Sequence, residues 1–116
     1  MGSSLSDLRD CPDEVKDEIG KALLEVQFGK TPRTAKPLKG FGGASVLEIV
    51  EDFNTDTYRA IYTVRFKSVV YVLHTFKKKS RHGRATPRAD IELVRQRLLQ
   101  AETHYQQWQR DEIKGE

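Results

Sequence analysis

Three apolar stretches between Val46 and Lys77 are separated by reversals of only two or three residues. Their composition and alternation predict three β-strands, Val46–Phe53, Thr57–Phe66 and Val69–Lys77. Reversals this short cannot hold a crossover helix, which needs roughly a dozen residues, so neighbouring strands have to pair antiparallel. This feature restricts the chain to folds built around an antiparallel sheet.

Apolar residues at helical spacing lie on both sides of these strands. A stripe of Val15, Ile19, Ala22, Leu23 and Val26 predicts a helix over 13–28, and Leu5–Asp10 is expected to form a short helical turn before it. After the strands, Thr86 can cap a last helix that has Pro87 at its first position. The apolar stripe of that helix is Ile91, Val94, Leu98, Ala101, Tyr105 and Trp108.

The order of these elements predicts an α+β fold in a single domain, 1–116, with N-terminal helices, a three- to four-stranded antiparallel sheet and a C-terminal helix. The segment 29–44 is rich in Gly and Pro and is expected to be a connection. Cys11 is the one cysteine, which excludes an internal disulfide. No apolar run approaches the roughly 20 residues of a membrane span, so we expect a cytoplasmic protein without membrane contact.

Alternation along the central strand separates two sets of side chains. One face carries Tyr58, Ala60, Tyr62, Val64 and Phe66, and the other carries Arg59, Ile61, Thr63 and Arg65. We expect the aromatic set to pack on helix 13–28, which leaves the face of Arg59 and Arg65 open. The second half of the last helix, around Tyr105 and Trp108, extends beyond what a small sheet can cover. This part of the helix is a candidate contact surface for a partner protein or a second copy of the chain.

Positive charge is concentrated in residues 59–97, which hold eleven Lys or Arg residues against two acidic ones, although the net charge of the whole chain is only +3. A basic face with an acidic remainder is typical of proteins that meet nucleic acid, so we expect a phosphate-rich partner, RNA above all. The alternative is a solvated basic loop without a partner.

Common enzyme signatures are missing from the chain. The Gly-rich run at Gly40 precedes a strand, whereas nucleotide-binding loops open a helix, and neither GxSxG nor HExxH occurs. The three histidines lack the neighbours that a metal site needs, so we expect no metal and no cofactor. The remaining Arg, Lys, Tyr and His side chains suit metal-free phosphodiester transfer.

Several motifs resemble the HigB/RelE superfamily of type II toxin–antitoxin toxins, and in particular its phage-derived HigB-like branch. The similarity covers roughly Leu5 to Ala101. It is carried by Ala35-Lys36-Pro37-Leu38-Lys39-Gly40-Phe41-Gly42-Gly43, Leu47-Glu48-Ile49, Tyr58-Arg59-Ala60-Ile61-Tyr62, Val72-Leu73-His74-Thr75-Phe76-Lys77-Lys78-Lys79-Ser80 and Thr86-Pro87.

This resemblance implies a RelE-like fold and a toxin that cleaves messenger RNA, in many cases on the ribosome, and that a helix-turn-helix antitoxin holds silent. The implied reaction needs no metal, because the RNA 2′-hydroxyl attacks the adjacent phosphate and expels the 5′-oxygen. RelE carries two lysines on the strand that here spans 46–50, and this chain has neither, which leaves the general acid and base open. A non-catalytic RNA- or ribosome-binding module and a degenerate toxin are the alternatives.

By position in the family motifs, Arg59 would stabilise the transition-state phosphate and Lys78 would be a second catalytic cation. His82, in a loop, is the third catalytic candidate. The expected RNA contacts are Arg65, Lys77, Lys79, Arg81, Arg84 and Arg88. The structural alternative for Arg59 is an ion pair with Glu48 or Glu51. For the lysines at 77–79 it is a charge run that protects a strand edge, and for His82 it is an exposed position in a loop.

Overall fold

A computed structural model describes residues 4–41, 45–54, 56–66, 69–78 and 86–114. Three helices and four strands follow one another as α1 (Ser4–Arg9), α2 (Asp13–Gln27), β1 (Ala35–Pro37), β2 (Val46–Phe53), β3 (Asp56–Thr63), β4 (Tyr71–Lys78) and α3 (Arg88–Lys114). This order confirms the predicted α+β fold. No helix in the described ranges has both the length and the apolar character to cross a membrane.

The strands form one antiparallel sheet in the order β1-β2-β3-β4. β1 is the element that the sequence pattern missed, because it is three residues long and ends at Pro37 within the segment predicted as a connection. Its pairing with β2 gives it strand character, as Ala35 lies opposite Ile49 and Pro37 opposite Leu47. A proline is tolerated there because β1 is an edge strand.

Helices cover both faces of the sheet. On one face, α2 buries Val15, Ile19, Ala22 and Val26 against Leu47, Ile49, Tyr58, Ala60 and Tyr62. On the other face, α3 buries Val94, Leu98 and Ala101 against Val46, Ile61, Tyr71 and Leu73. The predicted packing of the Tyr58 face on α2 is confirmed. The expectation of an open opposite face is wrong, because the apolar stripe of α3 packs on that face.

The central strand also ends earlier than predicted, at Thr63 instead of Phe66. Val64 is 45% exposed, and the ring of Phe66 lies 5.6 Å from that of Tyr71 and 5.1 Å from that of Tyr105. Phe66 therefore packs against the aromatic end of α3, although simple alternation assigned it to the α2 face.

An irregularity in β4 changes which face its side chains occupy. Ile61 pairs with His74, but Tyr62 pairs with Val72, so β4 contains one extra residue at Leu73. Leu73 packs in the α3 core and His74 bonds to residues of α3, so two successive side chains lie on the same face. A β-bulge has this effect.

α3 is longer than the sheet that it covers. Its residues Val94, Leu98 and Ala101 are buried, whereas Trp108 is 39% exposed and stacks on Tyr105 at 5.8 Å. The first half of this helix therefore belongs to the core. A role of its second half in binding a partner stays a prediction.

Glu51 on β2 gives a prediction for the pH dependence of stability. Partial burial raises the pKa of its carboxyl, and the neighbouring carboxylates Glu18 and Asp52 raise it further. Because the unfolded carboxyl ionises at a lower pH than the folded one, Glu51 lowers stability progressively as the pH rises from its ordinary pKa of 4.5 to its raised folded-state pKa. Glu51→Gln is therefore expected to raise the melting temperature at pH 7, and this gain should shrink as the pH falls through the raised pKa and disappear below 4.5.

Thermal unfolding at pH 7 and at pH 3.5 measures this difference, with the exposed Glu25→Gln on α2 as the matched control. An equal gain for Glu51→Gln at both pH values would contradict the prediction.

Candidate active site

Arg59 lies in the middle of β3 and its side chain is directed towards the start of α3, where it is only 4% exposed. Its NH1 donates to both carboxylate oxygens of Glu48, at 3.1 Å to Oε2 and 3.4 Å to Oε1, and to Oγ1 of Thr86 at 3.1 Å. The ion pair between Arg59 and Glu48, which was the structural alternative, is therefore present.

Glu48 is the anion at the centre of this cluster and is itself only 3% exposed. It lies on β2 diagonally across from Arg59, because Glu48 pairs with Ile61 and Val50 pairs with Arg59. The hydroxyl of Thr86 donates to its Oε2 at 2.9 Å, and Nζ of Lys36 lies 3.6 Å from its Oε1. Two strands, an edge strand and the segment before α3 thus meet at one carboxylate.

Thr86 has a different role from the one predicted. Its hydroxyl bonds Glu48 and Arg59, and α3 begins at Arg88, after Pro87. The carbonyl of Pro87 accepts hydrogen bonds from the amides of Asp90 and Ile91, both at 3.0 Å. The side chain of Thr86 therefore ties the start of α3 to the sheet.

A cavity of about 450 Å³ opens beside this cluster. Its lining consists of Lys36, Pro37, Leu38, Lys39, Glu48, Thr86 and Ile91. The arrangement combines apolar walls, a buried carboxylate and two lysines, with Arg59 bonded to the carboxylate. A larger cavity of about 820 Å³ lies at the end of α2, but the described residues that line it include no carboxylate, arginine or histidine.

The other predicted residues do not all come together. Lys77 is exposed, with its Nζ 3.7 Å from Oδ2 of Asp56. Arg65 follows the opposite end of β3, where its guanidinium lies 3.4 Å from the hydroxyl of Ser45. Arg88 is exposed at the first position of α3.

Five further candidates follow Lys77 in the sequence. The backbone of Lys78 ends β4 opposite Thr57, two residues beyond Phe76, which is the partner of Arg59. The predicted residues Lys79, Arg81, His82 and Arg84 lie outside the described residues.

His74 is fixed by two residues of α3. Its Nε2 lies 2.7 Å from Oδ1 of Asp90, and its Nδ1 lies 3.2 Å from NH1 of Arg97. A guanidinium has no acceptor, so Nδ1 has to accept and Nε2 carries the hydrogen that is donated to Asp90. His74 is thus a satisfied histidine at the edge of the core, and it joins β4 to α3.

Two other kinds of chemistry have little support among the described residues. Burial raises the pKa of the Cys11 thiol, and Asp10 and Asp7 raise it further, which lowers the reactivity of this cysteine as a nucleophile. Within the residues that the structure describes, no three His, Cys, Asp or Glu side chains are grouped so that they could hold a metal ion.

Four residues of the site were not predicted as functional from the sequence, namely Lys36, Lys39, Glu48 and Thr86. Alternation along β2 places Glu48 on the same face as Val46 and Val50, and a carboxylate between two valines was the available signal. The two lysines lie in or just after β1, which carried no strand signal of its own.

Comparison with known proteins places the chain in a family. Residues 6–99 match the family described as Phage derived protein Gp49-like (DUF891). No curated protein and no solved structure matches the chain. The matched region runs from α1 into α3 and includes the whole sheet together with Glu48, Arg59 and Thr86. The chain therefore belongs to the Gp49-like family of phage-derived proteins, a known family of toxins from toxin–antitoxin systems.

Proposed function

We propose that the chain is the toxin of a type II toxin–antitoxin pair and that it cleaves messenger RNA without a metal ion. The observation that carries this proposal is the buried guanidinium of Arg59, which Glu48 and Thr86 hold beside a cavity flanked by Lys36 and Lys39. Arg59 lies behind Glu48, and Lys36 and Lys39 line the cavity itself, so the site concentrates the fixed positive charge that a pentavalent phosphate transition state requires.

In the proposed reaction, the 2′-oxygen of RNA forms a bond to the adjacent phosphorus while the bond from phosphorus to the 5′-oxygen breaks. The 2′-hydroxyl proton passes to a base, and an acid protonates the leaving 5′-oxygen, so the products are a 2′,3′-cyclic phosphate and a 5′-hydroxyl. Arg59 and Lys78 are assigned to stabilise the developing charge, and His82 is assigned to proton transfer. The phosphate has to share the guanidinium of Arg59 with Glu48.

The family indicates an antitoxin as partner. We assign a helix-turn-helix antitoxin, with mRNA on the cytoplasmic ribosome as substrate. The burial of Arg59 supports a second candidate, a non-catalytic RNA- or ribosome-binding module or a degenerate toxin, because a paired buried arginine also serves to join strands and helix.

Induction of the chain in a bacterium distinguishes these candidates. The wild type is expected to stop growth and fragment transcripts, and Lys78→Ala is expected to reduce cleavage by about 10²-fold, the loss typical for one group that stabilises transition-state charge. Lys21→Ala, an exposed lysine of α2, is the matched control. Purified protein should leave 2′,3′-cyclic phosphate ends on RNA, both on free RNA in the presence of EDTA and on ribosome-bound RNA in magnesium buffer.

Growth arrest without RNA fragments would support the binding module. A soluble wild-type chain that neither stops growth nor cleaves RNA would refute the active toxin.

Arg65 tests the contribution of phosphate contacts at the other end of β3. Each phosphate that a protein neutralises on single-stranded RNA contributes about 0.7 to the slope of log affinity against log salt. Arg65→Ala is therefore expected to lower the magnitude of that slope by about 0.7 and to weaken binding to all RNA sequences by the same factor. Anisotropy titrations between 50 and about 300 mM salt measure the slope, with Arg33→Ala as an exposed control, and an unchanged slope would exclude Arg65 from the RNA surface.

A further inference from the structure

The cavity beside Arg59 has the dimensions and the lining of a site for one small ligand. Its volume of about 450 Å³ lies within the roughly 300–1,000 Å³ of ordinary ligand pockets. Pro37, Leu38 and Ile91 supply flat or branched apolar walls, and polar groups come from Lys36, Lys39, Glu48 and Thr86. Such a site suits a planar, partly apolar molecule with a polar edge and a nearby negative charge.

The two oxygens of Glu48 are used unequally. Oε2 accepts from Thr86 at 2.9 Å and from Arg59 at 3.1 Å, which occupies the two acceptor directions of that oxygen. Oε1 has only longer contacts among the described residues, at 3.4 Å to Arg59 and 3.6 Å to Lys36. Oε1 thus keeps acceptor capacity in a side chain that lines the cavity and is otherwise buried.

A ligand that matches this site presents a hydrogen-bond donor to Oε1. Unpaired RNA bases are recognised in pockets by contacts to their Watson–Crick edges, and carboxylates accept from exocyclic amino groups such as N4 of cytosine. Uracil and hypoxanthine present a carbonyl oxygen at the position of that amino group. In the same orientation they would face the carboxylate with a second acceptor, and they would have to shift in the pocket to offer their ring N–H instead. The lysines at 36 and 39 are suitably placed for the phosphates on either side of such a base.

We propose that this cavity is a nucleobase pocket, in which Glu48 selects an unpaired base that carries an exocyclic amino group. The proposal rests on RNA as the substrate and adds a basis for sequence preference at the same site. Because Glu48 bonds directly to Arg59, the base in this pocket belongs to a nucleotide next to the phosphate that Arg59 contacts. The pocket would therefore determine where an RNA strand is cut.

Fluorescent hexanucleotides with 2′-O-methyl sugars test this preference without cleavage. In a uridine hexamer, replacing one central base by cytosine or adenine is expected to increase affinity about tenfold, and replacing it by hypoxanthine is expected to give no increase. Glu48→Gln keeps the size and the acceptor for Arg59 but adds a donor, so the amino preference should disappear. Glu51→Gln, on the opposite face of β2, is the matched control and should keep it.

Lys39→Ala separates base contacts from phosphate contacts. This variant is expected to weaken all the hexamers by the same factor and to leave the preference for amino-bearing bases intact. Melting temperatures establish whether each variant is folded.

A second measurement avoids substitution of the buried glutamate. In NMR spectra of the wild-type chain, adenosine monophosphate is expected to shift the methyl signals of Leu38 and Ile91, and inosine monophosphate is expected to shift them at least fivefold less at equal concentration.

RNA binding without any base preference, and equal methyl shifts from the two mononucleotides, would overturn the pocket and leave the proposed RNA-cleaving function in place. Selective shifts in a chain that cleaves no RNA would support the pocket and refute the enzyme. Absence of both RNA binding and methyl shifts would refute both proposals.

Discussion

The double variant Glu48→Leu/Arg59→Met is expected to have a free energy of unfolding within about 1–2 kcal/mol of the wild type, whereas Arg59→Met alone should lose about 3–5 kcal/mol. The single variant leaves the carboxylate of Glu48 buried without its guanidinium, and that uncompensated charge causes the loss. Apolar residues of similar volume remove both charges together, and such replacements are commonly neutral or stabilising. Chemical denaturation of the three proteins measures the differences.

Activity should respond differently from stability in this series. If Arg59 stabilises the transition state, the double variant is folded but cleaves RNA at least about 10²-fold more slowly than the wild type. Growth arrest and transcript fragmentation by a folded double variant would remove Arg59 from the catalytic site and leave it a structural role. If the double variant is as unstable as Arg59→Met, the ion pair has no compensating apolar alternative, which would contradict the stability prediction.

Leu73→Ala is expected to cost about 2–5 kcal/mol, because this fully buried side chain leaves a cavity under α3. Ile19→Ala in the α2 core is the matched comparison, since Ile19 is equally buried and loses a similar volume. The two substitutions act on opposite faces of the sheet. Amide hydrogen exchange should therefore increase first in α3 for Leu73→Ala and first in α2 for Ile19→Ala.

This comparison also bears on the site, because Thr86 reaches Glu48 only while α3 stays docked on the sheet. RNA binding by Leu73→Ala should be weakened more than binding by Ile19→Ala at temperatures where both proteins are folded. Equal acceleration of exchange in both helices by both variants would mean that the two cores unfold as one unit, in contradiction to this prediction.

Most of the fold follows from local sequence patterns. The bounds of β2 and the start of α2 at Asp13 agree with the prediction, because alternation and helical spacing are strong there. The pattern failed where structure depends on distant residues. β1 exists because β2 lies beside it, and the end of β3 at Thr63 depends on Phe66 turning to Tyr71 and Tyr105.

The site was less predictable than the fold, and Arg59 shows why. Alternation correctly placed it on the face opposite Tyr58, but nothing local indicated that α3 would cover that face. The helix was predicted, and its choice of face was not, because its apolar stripe is equally compatible with either side of a sheet. Burial of Arg59 requires a paired anion, so Glu48, which the sequence offers only as one of two ion-pair partners, lies at the centre of the cluster.

The extra residue at Leu73 has a consequence for which changes of chain length this protein can tolerate. It sets the phase of β4, so that Phe76 lies opposite Arg59 and Lys78 opposite Thr57. One residue inserted between His74 and Phe76 would shift both pairs by one position and reverse the faces of the strand end, and an insertion between Phe76 and Lys78 would shift the second pair. The same insertion after Lys78 would leave every pair in place. Insertions and deletions among relatives should therefore occur after position 78, and the number of residues between the bulge and that position should stay constant.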